Sequence, residues 1–112
     1  MTKQYRPSMF RGAANRDDNE PMFRELLDRW QVQYSQGKPG DGYDLLIQIH
    51  PMRLWEIKNN EQPPSAQRLT PAELAKQAYC RSRGIPYDVL RYTDEAVKIL
   101  TEHFEKQKGR QR

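Results

Sequence analysis

The chain has 112 residues, of which 36% are hydrophobic and 30% charged, which is enough for one domain with a small core. Its 19 Lys and Arg residues outnumber 15 Asp and Glu residues, and the formal charge of +4 suits a polyanionic partner without requiring one. The single cysteine, Cys80, excludes an intramolecular disulfide and a CxxC metal knuckle. Since neither an apolar leader nor a run of 18 apolar residues is found, we expect a cytoplasmic protein that does not enter membranes.

The first predicted elements are an arm, a helix and a short strand. Residues 1–18 are polar and carry three arginines, which predicts a flexible N-terminal arm. Asn19 can cap a helix, Pro21 suits its first turn, and an apolar stripe at helical spacing follows. The members of that stripe are Phe23, Leu26, Leu27 and Trp30. We therefore predict a helix over about 20–31, with this stripe in the core, and a weakly alternating strand over 31–36.

Two further strands are predicted around a tight connection. The glycine-rich segment 37–42 must turn, residues 43–49 alternate as a strand, and residues 53–58 form the next strand. This order predicts a β-hairpin that turns around His50, so that opposed residues have numbers that add up to 100. We predict a loop over residues 59–68, because the two consecutive prolines in this segment cannot continue a strand.

The C-terminal half predicts a helix, a strand and a second helix. Thr70 starts a Thr-Pro-Ala-Glu capping box, and Gly84 ends that helix. Its expected apolar side includes Leu69, Leu74 and Ala78. Residues 87–92 predict a strand, and Thr93 is expected to cap the last helix, which leaves a frayed basic tail over 106–112.

The predicted elements follow the order α-β-β-β-α-β-α. Alternation of strands and helices is typical of the α/β class, and here it predicts a mixed four-stranded sheet flanked by helices. The predicted domain covers residues 19–105.

Charged side chains share one face of the predicted hairpin. Glu56 and Lys58 are two residues apart and therefore project from the same face, while the register puts Asp44 opposite Glu56. Two carboxylates about 5 Å apart repel unless a cation lies between them or one is protonated. Mg²⁺ suits such a pair, because it binds one or two carboxylates together with water and substrate phosphate. Lys58 would then orient an attacking water or stabilise charge on a phosphodiester.

These charged residues also have a plainer interpretation. The Glu-x-Lys triplet alone is more typical of an exposed strand whose charges are solvated. Asp44, its glycine-rich turn and the hairpin phase make the two interpretations equally good. His50 and His103 are too far apart in sequence to imply a shared site, and no zinc-binding spacing of His or Cys occurs.

Several basic residues are candidate contacts for DNA phosphates. They are Arg53, Arg68, Lys76, Arg81 and Arg83. For each of them taken singly, solvated charge is an equally good interpretation. No base-reading motif occurs in the chain, so any specificity is expected for the shape of the nucleic acid.

The run GYDLLIQIHPMRLWEIKNNEQPPSAQRLTPAELAKQ (42–77) resembles the core of the VRR-NUC branch of the PD-(D/E)XK nucleases, especially small phage-encoded members. The shared features are an acidic strand after a glycine, a short hairpin, an apolar-Glu-x-Lys strand, a Pro-Pro-Ser loop and a Leu-Thr-Pro helix start. The resemblance covers about residues 19–100 and implies a restriction-endonuclease-like core.

The resemblance also implies an activity: a Mg²⁺- or Mn²⁺-dependent endodeoxyribonuclease that acts on branched or structured DNA as a homodimer. The expected location is a bacterial or phage-infected cytoplasm. Asp44 and Glu56 would bind the metal together with the backbone carbonyl of Ile57, and Lys58 would be the catalytic lysine. Glu20 looks like the acid of the family's first helix and would help Asp44 and Glu56 to place the metal, with Glu25 as the weaker candidate for that acid.

Two positions depart from the family pattern. Tyr43 replaces the proline of the Pro-Asp pair, which changes the turn but keeps the acid. Leu74 stands where relatives often carry Gln, so Gln77 is the candidate for the polar helix residue near the site. An idle nuclease-fold protein that holds DNA or a partner protein is therefore the alternative to a working nuclease.

Overall fold

The computed structural model describes residues 19–59 and 61–110, with side chains described up to residue 107. The predicted arm at 1–18 and the last two residues of the tail lie outside the described residues. The elements are α1 (Glu20–Arg29), β1 (Tyr34–Gln36), β2 (Leu45–Ile47), β3 (Arg53–Ile57), α2 (Pro64–Gln67), α3 (Pro71–Arg83), β4 (Tyr87–Leu90) and α4 (Thr93–Arg110). None of the helices in this part of the chain combines the length and apolar character needed to cross a bilayer.

The four strands form one mixed sheet in the order β1-β2-β3-β4. β1, β2 and β3 are antiparallel neighbours, whereas β4 lies parallel to β3. Parallel neighbours require a crossover connection, which α2 and α3 supply between β3 and β4. The predicted α/β class and mixed four-stranded sheet are therefore confirmed.

β2 and β3 pair in the register that the sequence predicts. Leu45 is opposite Trp55, and Leu46 is opposite Leu54, so the numbers of each pair add up to 100. Alternation along β3 then sends Trp55 and Ile57 to one face of the sheet and Glu56 to the other.

The apolar face of the sheet packs against α1 and α4. The core cluster on this side contains Phe23, Leu27, Val32, Leu45, Ile47, Trp55, Ile57, Leu90, Ala96 and Leu100. Phe23 meets Trp55 edge to face, with the ring centroids 6.2 Å apart. The predicted core position of the α1 stripe is confirmed, because Phe23 and Leu27 are fully buried and Leu26 and Trp30 pack against them.

α3 begins and ends at the predicted residues. The Thr70 hydroxyl accepts a hydrogen bond from the Glu73 N–H at 3.2 Å, and the Glu73 carboxylate accepts one from the Thr70 N–H at 2.8 Å. Gly84 ends the helix with a φ of +73°, a conformation that glycine adopts without strain.

Three local predictions are wrong. The segment predicted as a loop contains α2, because Pro64 suits the first position of a helix as well as it resists a strand. α4 continues to Arg110, so most of the predicted tail is helical; Glu102 and Lys106 are four residues apart, a spacing that supports a polar helix. The expected apolar side of α3 is not buried: Leu74 is 52% exposed, and Cys80 is buried instead.

Gly42 sets the distance between the β1–β2 loop and α3. Its φ is +87°, and a Cβ atom there would lie 2.6 Å from the Ala72 carbonyl oxygen and 2.8 Å from the Lys76 Cβ. Glycine is therefore required both for the backbone conformation and for the close approach. Because Asp44 follows two residues later, this contact also fixes where β2 begins relative to α3.

We predict that Gly42→Ala destabilises the protein more than Gly40→Ala does. Gly40 has a φ of +90° but no atom within 4 Å of an added Cβ, so it reports backbone strain alone. That strain should cost about 1–2 kcal/mol at both sites, and overpacking should add about 1–3 kcal/mol at Gly42. Urea unfolding of both variants measures the difference. Equal losses would show that the loop can move away from α3 at no cost.

Candidate active site

Asp44 is held at the end of the hairpin by the backbone of β3. Its N–H donates to the Trp55 carbonyl oxygen at 2.9 Å, beside the Leu45–Trp55 pair at which the β2–β3 register ends. Its carboxylate Oδ2 accepts a hydrogen bond from the Ile57 N–H at 2.7 Å. The carboxylate is therefore anchored beside the strand that carries Glu56.

Glu56 is buried on the face of the sheet that α3 covers, with 4% of its surface exposed. Burial raises the pKa of its carboxyl group to about 9; the negative charge of Asp44 and the hydrogen bond to Glu73 act in the same direction, and Lys58 opposes them. The carboxyl group of Glu56 is thus protonated at neutral pH. Repulsion between neighbouring carboxylates is relieved either by a bound cation or by protonation. Protonation of Glu56 relieves it here without a cation.

Lys58 follows β3 directly and is enclosed by carboxylates. Its Nζ lies 3.4 Å from Glu56 Oε2 and 3.1 Å from Glu73 Oε1, and 9% of its side chain is exposed. Burial lowers the pKa of the amine, but the hydrogen bond to Glu73 and the charges of both glutamates outweigh burial and raise it. Lys58 is therefore an ammonium ion, a donor with no capacity to accept a proton.

Glu73 is the site residue that the sequence analysis missed, since it was assigned only as a helix cap. Burial raises its pKa, but hydrogen bonds from the Thr70 backbone and from the side chains of Glu56 and Lys58 outweigh burial and lower it. One signal in the sequence could have revealed it. A helix that connects two parallel strands runs back along the sheet, so α3 must start near the end of β3, where Lys58 lies.

Glu20 and Gln77, the other two predicted site residues, lie on α1 and α3. Glu20 is buried in α1, where its Oε2 accepts a hydrogen bond from Gln36 at 2.9 Å and lies 3.7 Å from Arg24 Nε. Gln77 lies one helical turn beyond Glu73 on α3. The α3 side chain that accepts a hydrogen bond from Lys58 is that of Glu73.

Asn19 connects α1 to the site. Asn19 is the N-cap residue of α1, as predicted, but its side chain makes no capping hydrogen bond to the helix. Its Nδ2 instead donates to the carbonyl oxygens of Lys58 at 3.1 Å and Arg91 at 3.2 Å. Asn19 therefore satisfies backbone acceptors at the ends of β3 and β4, which its position before a helix did not reveal.

The donor chemistry at Asp44 and Glu56 fits a hard divalent cation. Burial raises the pKa of Glu56 most, and the negative charge of Asp44 adds to it, so the two carboxyl groups interact. Among the described residues, no three or more His, Cys, Asp or Glu side chains are grouped to hold a metal ion. Mg²⁺ does not need such a cage, because it retains water and binds substrate phosphate beside one or two carboxylates.

The predicted DNA-binding residues fall into two groups. Arg53 lies at the opposite end of β3 from Lys58 and binds Asp88 through two hydrogen bonds, at 2.8 and 3.2 Å. The remaining four lie on or just before α3, where all but the half-buried Lys76 are exposed. They are Arg68, Lys76, Arg81 and Arg83. Arg53 thus joins β3 to β4. In the α3 group, Lys76 and Arg83 lie over the ring of Tyr79.

Two of the cavities in the described part of the chain have charged residues or histidines in their walls. One, of about 160 Å³, lies between the β1–β2 loop and the start of α3 and is lined by Lys38, Asp44 and Glu73 among others. The other, of about 310 Å³, has His50 and His103 in its wall. His50 and His103 thus border the same cavity, which their separation in sequence does not indicate.

Comparison with protein-family models, curated proteins and solved structures finds no match to this chain.

We predict that Glu56→Gln makes the folded protein relatively more stable as the pH rises. The pKa of Glu56 is about 9 in the folded state against an ordinary value of 4.5. The folded state therefore binds the proton more tightly, and this stabilisation is complete below about pH 4.5 and is lost as the pH rises towards 9. Glutamine keeps a donor for Glu73 and cannot ionise.

Thermal unfolding in EDTA at about pH 5 and pH 8 measures this effect. The gain in Tm of Glu56→Gln over the parent protein should be larger at the higher pH. Glu25→Gln is the matched control, because Glu25 is an exposed glutamate that pairs only with Arg29 among the contacts described for it. The same gain at both pH values would contradict a protonated Glu56.

Proposed function

We propose that this chain is a Mg²⁺- or Mn²⁺-dependent endodeoxyribonuclease of the VRR-NUC type, with a restriction-endonuclease-like core. The observation that carries the proposal is the meeting of Asp44, Glu56 and Lys58 at one end of the β2–β3 hairpin. The run at 42–77 and the order of the strands and major helices support the family assignment. The short α2 is an addition to that order.

The proposed roles follow from the contacts of each side chain. Asp44 and Glu56 would hold the metal with the Ile57 carbonyl, and the Ile57 N–H already orients the Asp44 carboxylate. A bound divalent ion lowers the pKa of its water and neutralises charge on the phosphodiester. Glu56 must lose its proton to serve as a ligand, which favours activity at higher pH.

Lys58 acts in this proposal as a hydrogen-bond donor. Its raised pKa keeps it charged, so it does not serve as the general base. An ammonium group held next to Glu56 can orient the attacking water or stabilise the negative charge that develops on phosphate oxygens. Its burial between two strands and α3 limits the number of positions that it can take.

DNA is the proposed substrate, with branched or structured forms preferred and a homodimer as the active species. The basic side of α3 supports phosphate contacts, and the cavity of about 160 Å³ beside Asp44 gives access to the site.

A specific observation also favours an idle, DNA-holding protein as the second candidate. A Glu56 that stays protonated and a Lys58 that stays paired would form a stable structural cluster without turnover.

We predict metal-dependent cleavage that requires Lys58. Purified protein is incubated with labelled linear duplex, flap and four-way junction DNA, in Mg²⁺, Mn²⁺ or EDTA. Lys58→Ala should lower the cleavage rate by about 10²–10³-fold, the loss typical of a donor to developing charge. Lys98→Ala, which removes an exposed lysine of α4, should cut at the parental rate.

The outcomes separate the two candidate functions. Cleavage that EDTA abolishes and that Lys58→Ala lacks supports the nuclease and identifies its preferred DNA. No cleavage of any DNA, together with retention in a gel shift, favours the idle binding protein. Calorimetric titration with Mn²⁺ adds a second criterion, since the nuclease requires binding that Asp44→Ala removes.

We also predict that the arginines at the end of α3 contribute to DNA binding through phosphate contacts. Arg81→Ala and Arg83→Ala should each weaken binding and reduce the slope of log Kobs against log salt by about 0.9. Arg29→Ala is the control, since it removes an exposed arginine of α1 that pairs with Glu25. Equal salt slopes for all three variants would exclude the α3 side from the DNA interface.

A further inference from the structure

We propose that Glu73 is the positioning residue for Lys58, and that it ties the ammonium group to the start of α3. The inference rests on the proposed nuclease function and deepens it, because it assigns a role at the same site to a residue of a different element. Neither the family resemblance nor the sequence pattern assigned Glu73 to the site.

Two anchors on two elements define where the Lys58 ammonium lies. Its Nζ is 3.4 Å from Glu56 Oε2 on the same strand and 3.1 Å from Glu73 Oε1 on α3. A lysine side chain is long and unbranched, so one contact alone would leave its end free to move along an arc. The contact from α3 removes that freedom.

Glu73 is itself fixed by the helix cap. The oxygen that binds Lys58, Oε1, also accepts a hydrogen bond from the Thr70 N–H at 2.8 Å. Capping requires only that this oxygen reach the Thr70 N–H, yet just 15% of the Glu73 side chain is exposed because it lies over Lys58. One carboxylate oxygen thus joins the backbone of α3 to the ammonium group of β3.

The anchor from α3 matters most when Glu56 is engaged elsewhere. In the proposed enzyme Glu56 is a metal ligand, so its charge is shared with the cation and its hold on Lys58 weakens. Glu73 is not a proposed metal ligand, so it keeps the ammonium group in place when Glu56 binds the metal. Misplacement of a reacting group by about 1 Å can cost about 10²-fold in rate.

The experiment must separate positioning from capping, and the chain offers matched variants for this. Glu73→Ala removes the anchor and one half of the capping box. Glu73→Gln keeps an acceptor for both Lys58 and Thr70, since glutamine also forms capping boxes. Thr70→Ala removes the other half of the box but leaves the backbone N–H that holds Glu73.

The expected kinetic result is a loss confined to kcat. Glu73→Ala should lower kcat by about 10–100-fold and change KM by less than about twofold, because DNA binding does not involve Lys58 alone. Glu73→Gln should recover most of the rate. Thr70→Ala should lower Tm as Glu73→Ala does, yet keep kcat within about twofold of the parent protein.

A second measurement does not depend on cleavage. Reductive methylation without DNA or metal, followed by peptide mass spectrometry, reports how accessible each lysine amine is. Lys58 should react faster in Glu73→Ala than in the parent protein, relative to the exposed Lys98 in the same molecule. Thr70→Ala should leave the labelling of Lys58 unchanged.

The outcomes distinguish failure of this inference from failure of the proposed function. If Glu73→Ala and Thr70→Ala have the same effects on kcat and on labelling, Glu73 is only a cap and the inference is overturned. Faster labelling of Lys58 with an unchanged kcat overturns it as well. If the parent protein cuts no DNA, the nuclease proposal fails, and labelling alone then decides whether Glu73 holds Lys58.

Discussion

The pairing of β2 with β3 is the constraint on which both faces of the sheet depend. With Leu45 opposite Trp55, the large side chains of the hairpin point towards α1 and α4, and Glu56 points towards α3. A slip of one residue would exchange the two faces, burying Glu56 in the apolar core and exposing Trp55. The register therefore specifies both the core and the face on which Glu56 lies, and a separate bond from Ile57 N–H holds the Asp44 carboxylate at the end of the hairpin.

The candidate site concentrates ionisable groups where solvent is scarce, and proton and charge placement offset that cost. Glu56 holds a proton, while Glu73 and Lys58 form a charged pair within 3.1 Å. Burying unpaired charges would be strongly destabilising, so each of these groups has a partner of suitable character. In the proposed nuclease, Glu56 would exchange this proton for a cation, which would link the stability of the cluster to the proposed chemistry.

The two ends of β3 make contacts with different elements. At one end the Arg53–Asp88 ion pair joins β3 to β4, and at the other end Lys58 faces α3. Parallel pairing of β3 with β4 requires a crossover, and the crossover helix must start near Lys58. The topology thus delivers the start of α3 to the site, and Gly42 allows the loop before Asp44 to approach the same helix closely.

The sequence by itself determined what depends on neighbouring residues. The capping box at Thr70, the end of α3 at Gly84 and the hairpin register were predictable because turn chemistry and alternation act over a few positions. The same register places Glu56 on the face of the sheet opposite Trp55 and Ile57. Tertiary structure alone decided that Glu73 meets Lys58, that Asn19 meets two strand ends, and that His50 and His103 border one cavity. It also decided that Leu74 faces outward. These contacts join residues far apart in sequence, and local patterns carry no information about the packing that brings them together.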